Sequence, residues 1–518
     1  MTAATLAAAL AAADRDAPAI GGEGRPWLTH GALAALARET AAALARAGIG
    51  RGDRVAIVLP NGPEMATAFL TVAQAATTAP LNPAYREEEF DFYLSDLKAA
   101  AIILARGDDG PAARVARRMG LTILRLDSDP ASPAGQFALA PEGASRPARP
   151  APADAAAPDD VALILHTSGT TSRPKIVPLT QANIAASAGH IGAALALGPA
   201  DRCLNVMPLF HIHGLVAAVT ASLAAGGSVW CAPGFDALRF FAWLGEADPT
   251  WFTAVPTMHQ AILARAPRNA AAIAAARLRL IRSSSASLPP QVFHSLAETF
   301  GVPVIESYGM TEAAHQMTSN PLPPRAQKPG SVGLPAGPEV RIADEAEDRL
   351  LPADATGEVV ISGPNVTPGY ENNPEANRRS FFTAQGRRWF RTGDQGRFDA
   401  EGYLHLTGRL KEIINRGGEK VSPLEVDAVL MEHPAIAQAV TFALPHPKLG
   451  EEVACAVVLR EGASAEPAAI RAFAAERLAA FKVPRQVVIL AEIPKGATGK
   501  LQRIGLAERL GLTGGAEG

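Results

Sequence analysis

Cysteine is scarce in this chain: Cys203, Cys231 and Cys455 are the three in 518 residues. Spaced so widely, they build neither a disulfide framework nor a zinc site, and a reducing cytosol fits them. An excess charge of one sign is also lacking. With 48 Lys and Arg against 51 Asp and Glu the formal net charge is −3. That leaves no basic field for nucleic acid or an anionic membrane surface. The start, Met1-Thr-Ala-Ala-Thr-Leu-Ala, lacks the positive n-region of a signal peptide, so its Ala-rich stretch reads as a first helix. The end, Gly514-Gly-Ala-Glu-Gly518, is not a peroxisomal address, and a cytoplasmic location is expected. One uncharged run, Leu215 to Ala232, tests the membrane hypothesis, since its eighteen residues reach the threshold of a membrane span. Gly226-Gly227 break it and Ser228-Val-Trp-Cys follows, which predicts a buried helix, a turn and a strand.

What is present is an ordinary globular composition, 48% hydrophobic and 19% charged, in a chain too long for one compact core. To about residue 137, Ala-rich helical segments alternate with apolar runs such as Arg54-Val-Ala-Ile-Val-Leu59 and Ala99-Ala-Ala-Ile-Ile-Leu104. That alternation predicts βα units on a mostly parallel sheet. Residues 138–160 are rich in Pro and Ala and read as a surface linker, and a second βα region follows to roughly 330. Beyond Lys328-Pro-Gly-Ser-Val-Gly333 the pattern turns to short strands, a small β-rich subdomain. A boundary is expected near Gly408, dividing a large α/β domain, 1–408, from a small mobile α+β domain, 409–518.

The chain is organised around residues 161–178. Val161 to Leu165 predict a buried strand that stops at a loop carrying Thr167, Ser168, Gly169, Thr170 and Thr171, closed by Arg173 and Lys175. Hydroxyls, backbone N–H groups and two cations in a few residues suit a polyphosphate. It is not the common P-loop, which needs Gly where Pro174 stands.

Four further motifs follow in order: Tyr308-Gly-Met-Thr-Glu312, Phe390-Arg-Thr-Gly-Asp394, Gly408-Arg-Leu-Lys411 and Gly496-Ala-Thr-Gly-Lys500. The ordered set resembles the adenylate-forming acyl-CoA synthetases over essentially the whole chain. The resemblance implies ATP, Mg²⁺ and coenzyme A as cofactors, a carboxylic acid as substrate, and AMP and pyrophosphate as products. It implies that Thr167, Ser168, Gly169, Thr170, Thr171, Lys175, Tyr308 and Gly309 bind ATP. Thr311 would donate to the α-phosphate, Glu312 would hold the metal and Asp394 the ribose hydroxyls. Arg409 and Lys500 would bring mobile positive charge, Lys500 bridging the attacking carboxylate and the α-phosphate. Lys411 matches the pivot of domain rotation, and Arg416, Gly417, Gly418 and Glu419 the face that meets coenzyme A. Two positions depart from the family loop, Ser172 and Ile176, each where it has glycine; β-branched Ile176 implies extended backbone.

The stretches expected to face the acid are polar. They carry His211, His213, Ser283 to Ser285, Ser287 and His315, the last on the face of Glu312 if that segment is helical. Imidazole and hydroxyl donors suit a small second carboxylate better than a methylene chain. His166 to Lys175, Trp251 to Thr257, Ser319 to Pro323 and Asn415 to Lys420 are similar in wording to the oxalate–CoA ligases. Malonate or another short acid is the alternative, and a fatty or aromatic acid a more distant one. No carrier-protein attachment motif of the Asp-Ser-Leu type adjoins, and Glu312, Asp394 and Lys500 are all retained, against an inactive nucleotide sensor.

Overall fold

The structure is a computed structural model that describes residues 3–143, 147–149, 156–167, 174–496 and 499–512. Among the described residues four sheets form. A seven-stranded sheet runs in the order 138–141, 122–127, 101–105, 54–58, 77–80, 161–167, 175–180. Its inner strands are parallel and read Val, Ile, Leu and Ala because both faces are covered. A nine-stranded sheet holds parallel strands Arg202–Asn205, Trp251–Ala254, Leu280–Ser283 and Val304–Met310 side by side. One apolar core joins the two sheets through helices, with Val55 and Leu163 from the first, Phe69 and Ile191 from helices, and Cys203 and Ile305 from the second.

The sequence of 138–160 predicts a linker, yet Ala138–Pro141 pairs antiparallel with Thr122–Asp127 as an edge strand. Its Pro141 ends the strand on an edge, where a missing N–H is tolerated. The uncharged run 215–232 does fold as helix, turn and strand, but the helix opens as a π-helix over His213–Thr220. No helix among the described residues is long and apolar enough to cross a membrane.

A five-stranded antiparallel sheet follows, ending in Leu404–Arg409, which pairs with Arg387–Phe398 so that Asp394 faces Arg409. The last sheet, built from 414–416, 419–421, 436–446, 450–459 and 486–489, has its own apolar core around Val426, Ile436, Val453 and Ile470.

Candidate active site

The strand at Val161–Thr167 turns back antiparallel into Lys175–Thr180, with Thr167 opposite Lys175. The strands that flank the hydroxyl-rich segment are therefore antiparallel neighbours. Ser168, Gly169, Thr170 and Thr171, with Ser172 and Arg173, lie outside the described residues. Ile176 is buried in extended backbone, as its β-branching predicts. The Lys175 ammonium sits 4.2 Å from the Tyr370 ring centre, and the Tyr370 hydroxyl donates to Glu312 Oε1 at 2.7 Å. Burial lowers the Lys175 ammonium while Glu312 raises it. Burial likewise raises the Glu312 carboxyl against the pull of Tyr370 and Lys175.

Strand Val304–Met310 delivers Tyr308, whose hydroxyl donates to Asp394 Oδ2. Arg409 Nε lies 3.3 Å from Asp394 Oδ1, so both carboxylate oxygens have a partner. Burial raises the Asp394 carboxyl, and Arg409 opposes the rise. Gly309 is required here: a Cβ on it would sit 1.8 Å from the backbone oxygen of His315. Thr311 opens a short 3₁₀ turn, Thr311–Ala313.

That turn does not continue as a helix, so His315 does not share a helical face with Glu312. Ala314 and His315 adopt φ of 47° and 101°, and His315 begins the strand His315–Ser319. The two left-handed residues turn the imidazole away from Glu312 and toward Arg282. Non-glycine residues rarely sit there, and they concentrate where a site dictates backbone.

Around that imidazole a buried polar cluster lies at the C-terminal ends of the parallel strands, where open α/β sheets bind ligands. His213 Nδ1 is 3.0 Å from Ser285 Oγ and its Nε2 is 2.6 Å from Thr253 Oγ1. The rings of His213 and His315 lie 5.1 Å apart. His211 is tied in by its Nδ1, which accepts the His213 N–H at 3.3 Å. Burial drives all three imidazoles to the neutral form, His211 to about 3 and the other two well below their usual value. Ser287 is separate from this group. It is exposed and lines the cavity between the two domains.

That cavity, about 600 Å³, is walled by Val255, Thr257 and Glu306 of the large domain and Asp427, Lys500 and Arg503 of the small one. Thr257 Oγ1 donates to Gly499 O at 2.7 Å, which holds the Lys500 turn in the site. Burial and the neighbouring Arg409 bring the Lys500 ammonium down to about 8, with Asp394 pulling the other way. Arg503, three residues on, pairs with Glu412 at 3.1 Å and Asp427 at 2.9 Å, tying the Lys500 turn to the segment just after Lys411. Arg416, Gly417, Gly418 and Glu419 belong to the small domain's own hairpin. There Arg416 pairs with Glu452, and the Gly417 N–H donates to Leu449 O at 2.9 Å.

Two buried residues escaped the sequence reading. Glu306 accepts the Leu288 N–H at 2.8 Å through Oε1, its Oε2 has no partner among the described residues, and burial pushes it up to about 8. Arg282 is fully buried between His213 and His315. The only signal for either in the sequence is a charged residue inside an otherwise apolar strand, Ile281-Arg282 and Val304-Ile-Glu306.

No group of three or more His, Cys, Asp or Glu among the described residues could hold a metal by itself. A single buried carboxylate, Glu312, beside a lysine suits Mg²⁺ delivered with a triphosphate, because Mg²⁺ is usually bound by one or two carboxylates plus substrate phosphates.

Comparison with known proteins agrees with this layout. A family model described as AMP-binding enzyme matches residues 7–371, and one described as AMP-binding enzyme C-terminal domain matches 425–500. The chain is 47% identical over 498 residues to an oxalate–CoA ligase of Arabidopsis thaliana, covering 94% of each protein. It is 37% identical over 486 residues to a sulfoacetate–CoA ligase of Cupriavidus necator, covering 92% of each. The ATP-bound structure of MatB from Rhodopseudomonas palustris superposes with a TM-score of 0.85 at 30% identity, covering 98% of this chain and 99% of that one. The chain thus belongs to the AMP-binding enzymes and is an AMP-forming acyl-CoA synthetase that uses ATP, Mg²⁺ and coenzyme A.

Proposed function

We propose that the acid is oxalate and that the protein makes oxalyl-CoA through an oxalyl-adenylate. The observation that carries this reading is the acyl pocket itself. His213, held neutral by burial, lies 3.0 Å from the Ser285 hydroxyl, and its ring is 5.1 Å from that of His315, also held neutral by burial. Such donors suit a short acid with a second anionic group, and the related oxalate– and sulfoacetate–CoA ligases are both named for acids of that kind.

In the first half-reaction a carboxylate attacks the α-phosphorus and pyrophosphate leaves, so two anions must be held in line and their repulsion offset. Thr167 and Lys175 face the triphosphate beside the loop of Ser168 to Thr171, and Thr311 donates to the α-phosphate. Tyr308 and Arg409 hold Asp394, which accepts the ribose hydroxyls. Glu306, whose Oε2 has no partner among the described residues, lines the cavity and offers a polar contact to the nucleobase. Mg²⁺ on Glu312 would offset phosphate charge. Lys500, pinned through Gly499, bridges the acid and the α-phosphate, so the arrangement described is the adenylating one.

For the second half-reaction the small domain turns about Lys411, at the junction near 408. That turn withdraws Lys500 and brings Arg416, Gly417, Gly418 and Glu419 to the adenylate. Both glycines have positive φ, 59° and 94°, a backbone without Cβ that a thin pantetheine arm can pass closely. The acceptor is coenzyme A rather than a carrier protein, and the balanced charge of the chain fits a cytoplasmic enzyme acting on small molecules.

The test is AMP release with ATP and coenzyme A over oxalate, malonate, acetate, octanoate and a cinnamate. Oxalate should give the highest kcat/KM. A higher value for malonate would move the assignment to the longer diacid, and one for octanoate would refute a polar pocket.

A further inference from the structure

The chain places three arginines within six residues, Arg277, Arg279 and Arg282. The first two each meet a carboxylate, Asp248 and Asp201, both at 2.6 Å. Arg282 is completely buried and, among the described residues, meets none. A buried cation without an anion is strongly disfavoured, and such a group persists where a ligand supplies the missing charge. Burial lowers its guanidinium to about 9, so it is still charged at neutral pH.

Its surroundings are polar but neutral. Nη1 lies 3.4 Å from both His213 Nε2 and Thr253 Oγ1; Nη2 lies 3.4 Å from His315 Nδ1 and 3.1 Å from Gln316 Oε1. Register explains the grouping, since Thr253 and Arg282 are paired across adjacent parallel strands and Asn205 is paired with Thr253.

Arginine only donates, and that fixes where the protons lie. The nitrogens facing it, His213 Nε2 and His315 Nδ1, are assigned as the acceptors on that ground. The His213 proton is then on Nδ1 and points at Ser285 Oγ, which leaves the serine hydroxyl free to donate elsewhere. The His315 proton is on Nε2, a buried nitrogen with no partner among the described residues.

We propose that Arg282 is the positioning residue that makes this pocket select acids with a second anionic group. It fixes His315 as an Nε2–H donor, turns Ser285 into a donor through His213, and backs both with a buried positive charge. The inference rests on the reading of these residues as the acyl pocket, and extends it from oxalate to short acids ending in carboxylate or sulfonate. A monoanionic acid such as acetate spends its one charge on the adenylation step and leaves Arg282 uncompensated.

The full-length enzyme is compared with Arg282→Met, which keeps the apolar stem, and Arg282→Lys, which keeps the charge. In Arg282→Met the KM for oxalate should rise about 10- to 100-fold, the range expected for losing charge-assisted hydrogen bonds. The KM for ATP and the rate with acetate should change little, and Arg282→Lys should recover part of the oxalate affinity. Equal losses for oxalate and acetate in a variant that melts normally would overturn the proposal. The second measurement needs no turnover. In ¹⁵N-histidine-labelled wild-type enzyme the His315 signal should report the Nε2–H tautomer and lose that preference in Arg282→Met. An Nδ1–H tautomer in the wild type overturns the proposal. A wild type that ignores oxalate while showing the Nε2–H tautomer and a thermal shift with another short dianion refutes the oxalate assignment and leaves Arg282 in place.

Discussion

Thr257 donates its hydroxyl to the carbonyl of Gly499 at 2.7 Å, so a residue of the large domain holds the turn that carries Lys500. One neutral hydrogen bond contributes about 1 kcal/mol, roughly a fivefold population shift. Thr257→Val should therefore slow adenylation about fivefold by the same measure. Thioester formation from supplied acyl-adenylate should be unchanged or faster, because that step needs the turn released. Single-turnover assays of the two half-reactions check this, and a matching loss in both would remove Thr257 from the lid contact.

Lys500→Ala separates the same two steps more sharply. Adenylation should fall by at least about 100-fold, the scale of a removed electrostatic contact to the transition state. Transfer to coenzyme A should survive. The pH dependence carries a sign as well. The ammonium is charged below about 8 and neutral above, so kcat/KM for adenylation should decline as pH rises through about 8. The limb should vanish in Lys500→Ala, and bound triphosphate should move it upward in kcat. A flat profile from pH 7 to 9, about the window set by that value, would contradict a charged Lys500.

Acid sensitivity should follow the buried histidines. Burial holds His259 down at about 4, against an unfolded value of 6.5. Below 6.5 the unfolded chain binds a proton that the folded one refuses, so this stability is complete above 6.5 and is lost as pH falls toward 4. His259→Leu removes this titration, so the comparison is made between the pH slopes of the two proteins and not between their absolute stabilities. The variant's unfolding free energy should decline less steeply than the wild type's below pH 6.5, by up to about 1.4 kcal/mol per pH unit, and its Tm correspondingly less. Glu306 acts in the opposite direction, since its raised carboxyl loses stability as pH climbs from 4.5 to about 8, but both proteins carry it. Parallel Tm curves for the two proteins would exclude a neutral buried His259.

Gly309→Ala tests the geometry that joins the Tyr308-to-Glu312 motif to the proposed acyl pocket. The added methyl would lie 1.8 Å from the His315 carbonyl and 3.0 Å from its Nδ1. Strands Val304–Met310 and His315–Ser319 must then separate, at about 1–3 kcal/mol for overpacking. The expected result is a lower Tm with a raised oxalate KM, measured by thermal melting and AMP release. An unaltered KM would mean that His315 keeps its place without that close approach.

Local chemistry made much of this protein legible in one dimension. A run of β-branched residues ending at hydroxyls and glycine predicts a strand and a polar loop, and Val161–Thr167 is that strand. Five short motifs in fixed order identify the family, because each is a contiguous set of residues whose spacing is itself the chemistry. The break at Gly226-Gly227 predicts the end of a buried helix, since two glycines cannot hold helical backbone cheaply.

Tertiary structure decided what contiguity cannot carry. Arg277, Arg279 and Arg282 look alike in the sequence, and strand register leaves the third facing Thr253 with no acid paired to it among the described residues. His315 lies three residues from Glu312, yet two left-handed residues send it to another strand and another set of partners. Ser285 and Ser287 are near neighbours whose surroundings differ, one on His213 and one on the cavity between the domains. In each case the deciding quantity is a partner distant in the chain. Sequence specifies the groups that can hold ATP and a short acid; packing specifies which of them remain unpaired and therefore ready to bind.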